Sequence, residues 1–194
     1  MMKRTLKLEK TIYTLEQLTI PPISQVAIAG RSNVGKSSLL NCLAGQKKLA
    51  KISSSPGKTR SLNFYLVEPD NFYLVDLPGY GYAKCSKQER EKWAQLINSY
   101  LSNNAYLKAM AVLLDSRLKP QSLDLELISF LENNQIPLIP VLTKVDKCKQ
   151  KKISASLKNW QVLLNKSAQD IILFSSKTGK GKNKLWQAIV NKAK

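Results

Sequence analysis

Histidine is absent from the 194 residues, which excludes histidine-based catalytic triads and histidine metal sites. Cysteine is scarce: Cys42, Cys85 and Cys148 stand far apart, in neither CxxC nor zinc-type spacing. They read as small buried or half-buried residues of a reducing compartment, with no disulfide framework. Long apolar runs are missing too; none approaches the roughly 18 residues that a membrane-spanning helix requires. The basic start, Met1-Met2-Lys3-Arg4-Thr5, leads into a mixed polar segment, unlike a secretory signal. These absences predict a cytoplasmic protein without a membrane span.

Acidic residues are also few. Thirteen Asp and Glu face 31 Lys and Arg, for a net charge of +18. The excess is uneven: from Lys144 to Lys194, thirteen lysines stand against Asp146 and Asp170, so +11 of the +18 lies there. Either this is a lysine-rich solvated surface or it is the footprint of a polyanionic partner. So large an excess on so small a chain favours the partner. At 43% hydrophobic residues the chain can bury a full core unaided, and its length fits one domain with short extensions.

What is present is organised around Gly30-Arg31-Ser32-Asn33-Val34-Gly35-Lys36-Ser37, followed by Ser38. Two glycines four residues apart, then Lys and Ser, fit the phosphate-binding loop. The glycines let the backbone turn with its amides inward, forming an anion nest. Lys36 can reach β- and γ-phosphates, and the Ser37 hydroxyl can ligate Mg2+. The context agrees: Gln25 to Ala29 reads as a buried strand, and Lys36 to Ala44 as a helix whose positive end faces the anion.

Three further motifs follow strand-like runs. Asp76-Leu77-Pro78-Gly79 matches D-x-x-G, whose carboxylate holds Mg2+ through water and whose Gly79 amide meets the γ-phosphate. Thr143-Lys144-Val145-Asp146 fits [NT]-K-x-D, in which a fixed carboxylate accepts two hydrogen bonds from guanine and none from adenine. Ser175-Ser176-Lys177 follows the last strand, where a loop amide can bond guanine O6. The basic loop Gly45 to Arg60 must supply the remaining Mg2+ ligand. Thr59 is the best candidate, with Ser53, Ser54 and Ser55 behind it, and Gly57 and Lys58 are placed beside the nucleotide. Lys36, Thr59 and Gly79 are the groups expected to act on the reacting phosphate.

The rest of the chain supports an α/β reading. Thr14-Leu15-Glu16-Gln17 has the form of a capping box opening a short helix before Pro21-Pro22. Leu62 to Val67 and Phe72 to Val75 read as an antiparallel hairpin, and Ser86-Lys87-Gln88-Glu89 as a capping box for a helix reaching about Ser102. Strand-like Ala109–Leu114, Ile136–Leu142 and Ile171–Phe174 then alternate with helical Ser122–Asn133, Ile153–Leu164 and Lys182–Asn191. Such alternation implies a mostly parallel sheet with helices on both faces. Pro140 is awkward in a central strand unless a bulge accommodates it.

Together these segments resemble the EngB (YsxC/YihA) GTPases, of the TrmE-Era-EngA-EngB-septin-like superfamily. The runs that carry the resemblance are Gly30 to Asn41, Ser54 to Phe64, Asp76 to Lys84, Leu114-Asp115-Ser116-Arg117 and Thr143 to Lys147. Most specific is Gly79-Tyr80-Gly81-Tyr82-Ala83-Lys84. Two departures are Arg60, where Gln is expected, and Leu118, where His is common. The resemblance implies a P-loop GTPase domain with a six-stranded sheet over 23–194, preceded by an extension at 1–22. It further implies a GTP switch that assists assembly of the large (50S) ribosomal subunit, contacting its RNA and proteins, and that is needed for normal cell division; a monomer is expected. A small-molecule P-loop kinase and a non-hydrolysing basic RNA-binding module are the competing readings. Hydrolysis is expected to be slow, since Tyr80 stands where Ras-type GTPases place a water-orienting glutamine. Asn33 either braces the loop or helps hold K+, as in potassium-activated relatives. Tyr80 and Tyr82 either stack on unpaired RNA bases beside Lys84 or pack their loop against the core.

Overall fold

The computed structural model describes residues 4–46, 49–50, 61–81, 87–102, 104–165 and 170–194. They form a seven-stranded sheet in the order β1-β3-β4-β2-β5-β6-β7. The strands are β1 (Thr5–Ile12), β2 (Gln25–Gly30), β3 (Leu62–Glu68), β4 (Phe72–Asp76), β5 (Leu107–Asp115), β6 (Leu138–Thr143) and β7 (Ile172–Leu173). The helices are α1 (Lys36–Ala44), α2 (Lys87–Ser102), α3 (Ser122–Asn133), α4 (Gln150–Leu164) and α5 (Lys182–Ala193). Strands β2, β4, β5, β6 and β7 run parallel, and β3 is antiparallel to both of its neighbours.

Both faces of the central strands are covered, so these strands read as nearly unbroken apolar runs. Alternate residues divide cleanly between the faces. Val26, Ile28, Ala111 and Leu113 face α1 and α5 with Leu39, Leu40, Trp186 and Ile189. Ala27, Ala29, Val112 and Leu114 face the opposite side with Tyr100, Leu131 and Trp160 from α2, α3 and α4.

The expected six-stranded sheet is corrected to seven. The additional strand is β1, inside the segment expected as an N-terminal extension, and it pairs antiparallel with β3 at the sheet edge. Its pattern hides it: the register shifts between Leu8 and Lys10, and a bulge transfers the following residues to the other face. Leu6 therefore packs with the α1–α5 layer and Ile12 with the opposite one, although both are even-numbered. The expected helix at Thr14 is a single 3-10 turn, Leu15–Gln17, in which Thr14 makes no side-chain cap bond and Gln17 Oε1 accepts from the Tyr13 amide at 2.9 Å.

Pro140 needs no bulge, because β6 pairs with β5 in continuous register. The Met110 amide bonds the Pro137 carbonyl and the Phe174 amide bonds the Leu142 carbonyl. Even-numbered residues of β6 therefore point their own amides toward β7. On that side pairing begins only at Val141 opposite Ile172, so the donor that proline lacks falls just before the ladder.

Candidate nucleotide-binding site

The loop between β2 and α1 is shaped by close approach and backbone sign. A Cβ on Gly30 would lie 2.7 Å from Val34 Cγ1 and 3.0 Å from Leu113 Cβ, so only glycine fits where β2 ends. Asn33 (φ 64°) and Gly35 (φ 107°) take left-handed conformations, the kind of backbone that gathers amides into a concave nest. The first turn of α1 follows at once, with Lys36 buried and Ser37 and Ser38 half-buried. Gly30→Ala is expected to cost about 1–3 kcal/mol through overpacking; urea unfolding beside nucleotide binding checks it, and unchanged stability would contradict the packing.

Asp76 closes β4 next to this loop. Lys36 Nζ donates to Asp76 Oδ1, a pair whose side chains are 8% and 3% exposed. Beyond Asp76 the chain continues along the phosphate loop. The Leu77 amide bonds Ile28 O at 3.0 Å, the Tyr80 amide bonds Gly30 O at 3.3 Å, and the Ser32 amide bonds Tyr80 O at 2.9 Å. Ser32 Oγ also donates to Gly79 O at 3.3 Å. Gly79 is tight against this neighbour: a Cβ there would sit 3.2 Å from the Ser32 backbone.

Tyr80 turns inward. Its hydroxyl donates to Asp124 Oδ1 on α3 at 2.8 Å, while Arg31 Nη1 bonds Gln121 Oε1 at 3.0 Å just before that helix. Burial, then the Asp124 charge, push the Tyr80 phenol well above its usual range, and burial raises the Asp124 carboxyl. Of the two readings of this residue, Tyr80 packs its loop against the core. Tyr80→Phe is expected to cost about 1–3 kcal/mol, since Asp124 loses a buried donor; thermal unfolding reads this out, and an unshifted midpoint would contradict it.

The third motif meets the phosphate loop from the other side. Thr143 Oγ1, at the end of β6, lies 2.9 Å from Val34 O and 3.2 Å from Leu114 O and can donate its one proton to either. Lys144 starts from a left-handed backbone (φ 58°), and its Nζ donates to Asn33 O and, at 2.8 Å, to Asp115 Oδ2. Asp146, exposed on the 3-10 turn Val145–Lys147, accepts from Ser175 Oγ at 2.7 Å. Ser175 is itself buried and fixed by the Thr178 amide at 3.2 Å, leaving Ser176 and Lys177 exposed.

Residues 30–38, 76–79, 143–146 and 175–177 thus share one edge of the sheet, at the carboxyl ends of parallel strands, linked by direct bonds. Open parallel sheets bind ligands in this crevice. Gly57, Lys58 and Thr59, with Ser53, Ser54, Ser55, Arg60, Tyr82, Lys84 and Ser86, lie outside the described residues. Among the described residues no group of three or more Cys, Asp or Glu could hold a metal by itself; Ser37 in the first turn of α1 and Asp76, bonded by Lys36, offer oxygen donors here. Motif reading missed Asp115, Gln121 and Asp124 as parts of this edge. Asp115 carried a usable signal, a carboxylate ending an apolar strand as Asp76 does; Gln121 and Asp124 carried none. For Asp115 burial acts to raise the carboxyl, but bonds from Arg117 and then Lys144 outweigh it and hold it down at about 2.

The chain is similar to known GTP-binding proteins. The family model for the 50S ribosome-binding GTPase matches residues 25–144. A probable GTP-binding protein EngB of Desulfovibrio desulfuricans is 59% identical over 189 residues, covering 97% of this chain and 92% of that protein. Its counterpart in Bacillus subtilis is 45% identical over 175 residues, covering 90% and 89%. The crystal structure of a probable GTP-binding protein EngB superposes with a TM-score of 0.72 at 24% identity, over 88% of this chain and 98% of that one. No helix among the described residues is long and apolar enough to cross a membrane. With the phosphate-loop fold in place and relatives this similar along nearly its whole length, the chain belongs to the EngB family of GTP-binding proteins, GTPases that bind and hydrolyse GTP.

Proposed function

We propose that this GTPase is a nucleotide-controlled switch in assembly of the large ribosomal subunit, and that the four motifs form one guanine-nucleotide site. The observation that carries the reading is their convergence, with Lys36 bonded to Asp76, Thr143 and Lys144 within bonding distance of phosphate-loop carbonyls, and Ser175 bonded to Asp146. Residues 30–38 cradle the phosphates and Asp146 reads guanine, with 175–177 beside the base. Lys36 exchanges one anionic acceptor, Asp76, for the β- and γ-oxygens, and the Gly79 amide meets the γ-phosphate. Ser37, Thr59 and, through water, Asp76 would hold Mg2+. So few protein ligands suit an ion that keeps its waters and leans on phosphate oxygens. When bound it would supply neutralisation of the phosphate charge.

Residues 23–194 are the working domain, acting as a monomer in the cytoplasm, with residues 1–22 attached through β1. Tyr80, anchored on Asp124, cannot orient water as glutamine does, so turnover is slow. Asn33, exposed on the loop with its carbonyl held by Lys144, is the residue on which potassium activation would rest. Turnover is expected to rise in K+ over Na+; equal rates in the two salts would remove the potassium role.

The partner is ribosomal RNA with its proteins. It is supported by the family's description as 50S ribosome-binding and by the net charge of +18. Exposed Lys147, Lys149, Lys151 and Lys152 follow Asp146 in the chain, and exposed Lys177 and Lys180 follow Ser175. The test is co-sedimentation with large subunits, in GDP or a non-hydrolysable GTP analogue, across a salt series. Binding is expected to depend on the nucleotide and to weaken steeply with salt as counterions are released. Binding indifferent to the nucleotide would reduce the charge to general RNA affinity and overturn the switch.

A further inference from the structure

We infer that Asp115 is a positioning residue for guanine-nucleotide binding: clamped by Arg117, its carboxylate fixes Lys144 across the phosphate loop. The inference rests on the reading of Thr143–Asp146 as the guanine motif. Asp115 ends β5 directly opposite Thr143 in the parallel ladder with β6. Its side chain is 8% exposed. Its two oxygens take four donors: Lys144 Nζ at 2.8 Å, Arg117 Nη2 at 2.7 Å, Arg117 Nε at 2.9 Å and the Arg117 amide at 3.1 Å. A carboxylate with this many partners cannot swing toward solvent without giving up several charge-assisted bonds.

What it holds is a long, rotamer-rich side chain that would otherwise wander. Lys144 leaves the end of β6 from a left-handed backbone. Its Cε passes 3.7 Å from where a Cβ on Gly35 would stand, and its ammonium ends on Asn33 O and Asp115. The stem therefore spans the phosphate loop from Gly35 to Asn33, joining the base motif to the phosphate nest. Without Asp115 the ammonium keeps the Asn33 carbonyl alone among these two acceptors, and the stem no longer has one place to lie. Arg117 does its part at one remove, donating from Nε and Nη2 to the Asp115 carboxylate.

The test follows dissociation of a fluorescent GDP derivative from the full chain. Asp115→Ala is expected to release it about tenfold faster, and Asp115→Asn, which keeps an oxygen for Lys144, to recover most of that factor. In a Lys144→Ala background the added effect of Asp115→Ala should fall below about twofold, because residues acting as a unit are not additive. A general structural role would leave the same factor in both backgrounds, and that result, or unchanged release by Asp115→Ala, overturns the inference. Arg117 lies nearer the surface, so Arg117→Ala repeats the test should Asp115→Ala not fold. A loss of about threefold that vanishes without Lys144 is expected, and an equal loss in both backgrounds overturns the clamp. If Lys144→Ala and Asp146→Asn both release GDP at the unmodified rate, the guanine motif itself is misread; if they accelerate release and Asp115 does not couple, only the positioning role falls.

Discussion

Asp146→Asn is expected to weaken GTP binding by about 2–4 kcal/mol, roughly 30- to 1,000-fold. In the proposed site the carboxylate accepts from two guanine donors; an amide keeps one acceptor and turns a donor toward the base. Guanine then loses one bond and meets donor against donor, an unpaired contact. The same amide suits a base with a carbonyl where guanine has its amine, so xanthosine nucleotides should bind the variant better than they bind the unmodified chain. The structure makes the change clean, since Ser175 Oγ donates to Asp146 Oδ1 at 2.7 Å and can donate equally to an amide oxygen. Calorimetric titration with GTP and xanthosine triphosphate measures both effects. GTP affinity unchanged in Asp146→Asn would remove the base-reading role.

Lys36→Ala should lose nucleotide and stability together. Its ammonium is paired with Asp76 in a setting where the two side chains are 8% and 3% exposed. Removing one partner leaves a buried, uncompensated carboxylate, at a cost of about 3–5 kcal/mol. In the proposed site the removal also takes away the cation that meets the β- and γ-phosphates. The two losses separate in the double variant. Adding Asp76→Asn replaces the stranded charge by a neutral amide of the same shape, so urea unfolding should recover much of the stability while GTP binding stays lost. Recovery of binding along with stability would mean that Lys36 serves the fold and not the phosphates.

The parts of this molecule legible in its sequence are those whose chemistry demands particular residue types. Gly30 is needed because no Cβ fits between Val34 and Leu113, and Gly35 because its backbone is left-handed; a short pattern records both. Asp76, Thr143 and Asp146 are legible because each follows an apolar strand, where a parallel sheet delivers side chains to its carboxyl edge. The alternation of strands and helices gave the layers for the same reason. Strand β1 stayed hidden because its bulge breaks the period-two pattern that marks a strand. The awkwardness of Pro140 dissolves only once the shortness of β7 is known. Tyr80 shows a further limit: an aromatic residue on a basic loop suits stacking on RNA equally well until Asp124, 44 residues away, is seen to hold its hydroxyl. Asp115 is the opposite case, visible as a strand-end carboxylate yet without meaning until Lys144 and Arg117 are placed on it.

One guanine nucleotide should occupy one site built from four separated segments. Equilibrium titration of the full chain with GDP, followed by competition with GTP and ATP in the presence of Mg2+, tests it most directly. The expected result is one GDP per chain, displaced by GTP, with ATP weaker by about 100-fold or more because adenine leaves the Asp146 carboxylate unpaired. ATP competing as well as GTP would contradict it.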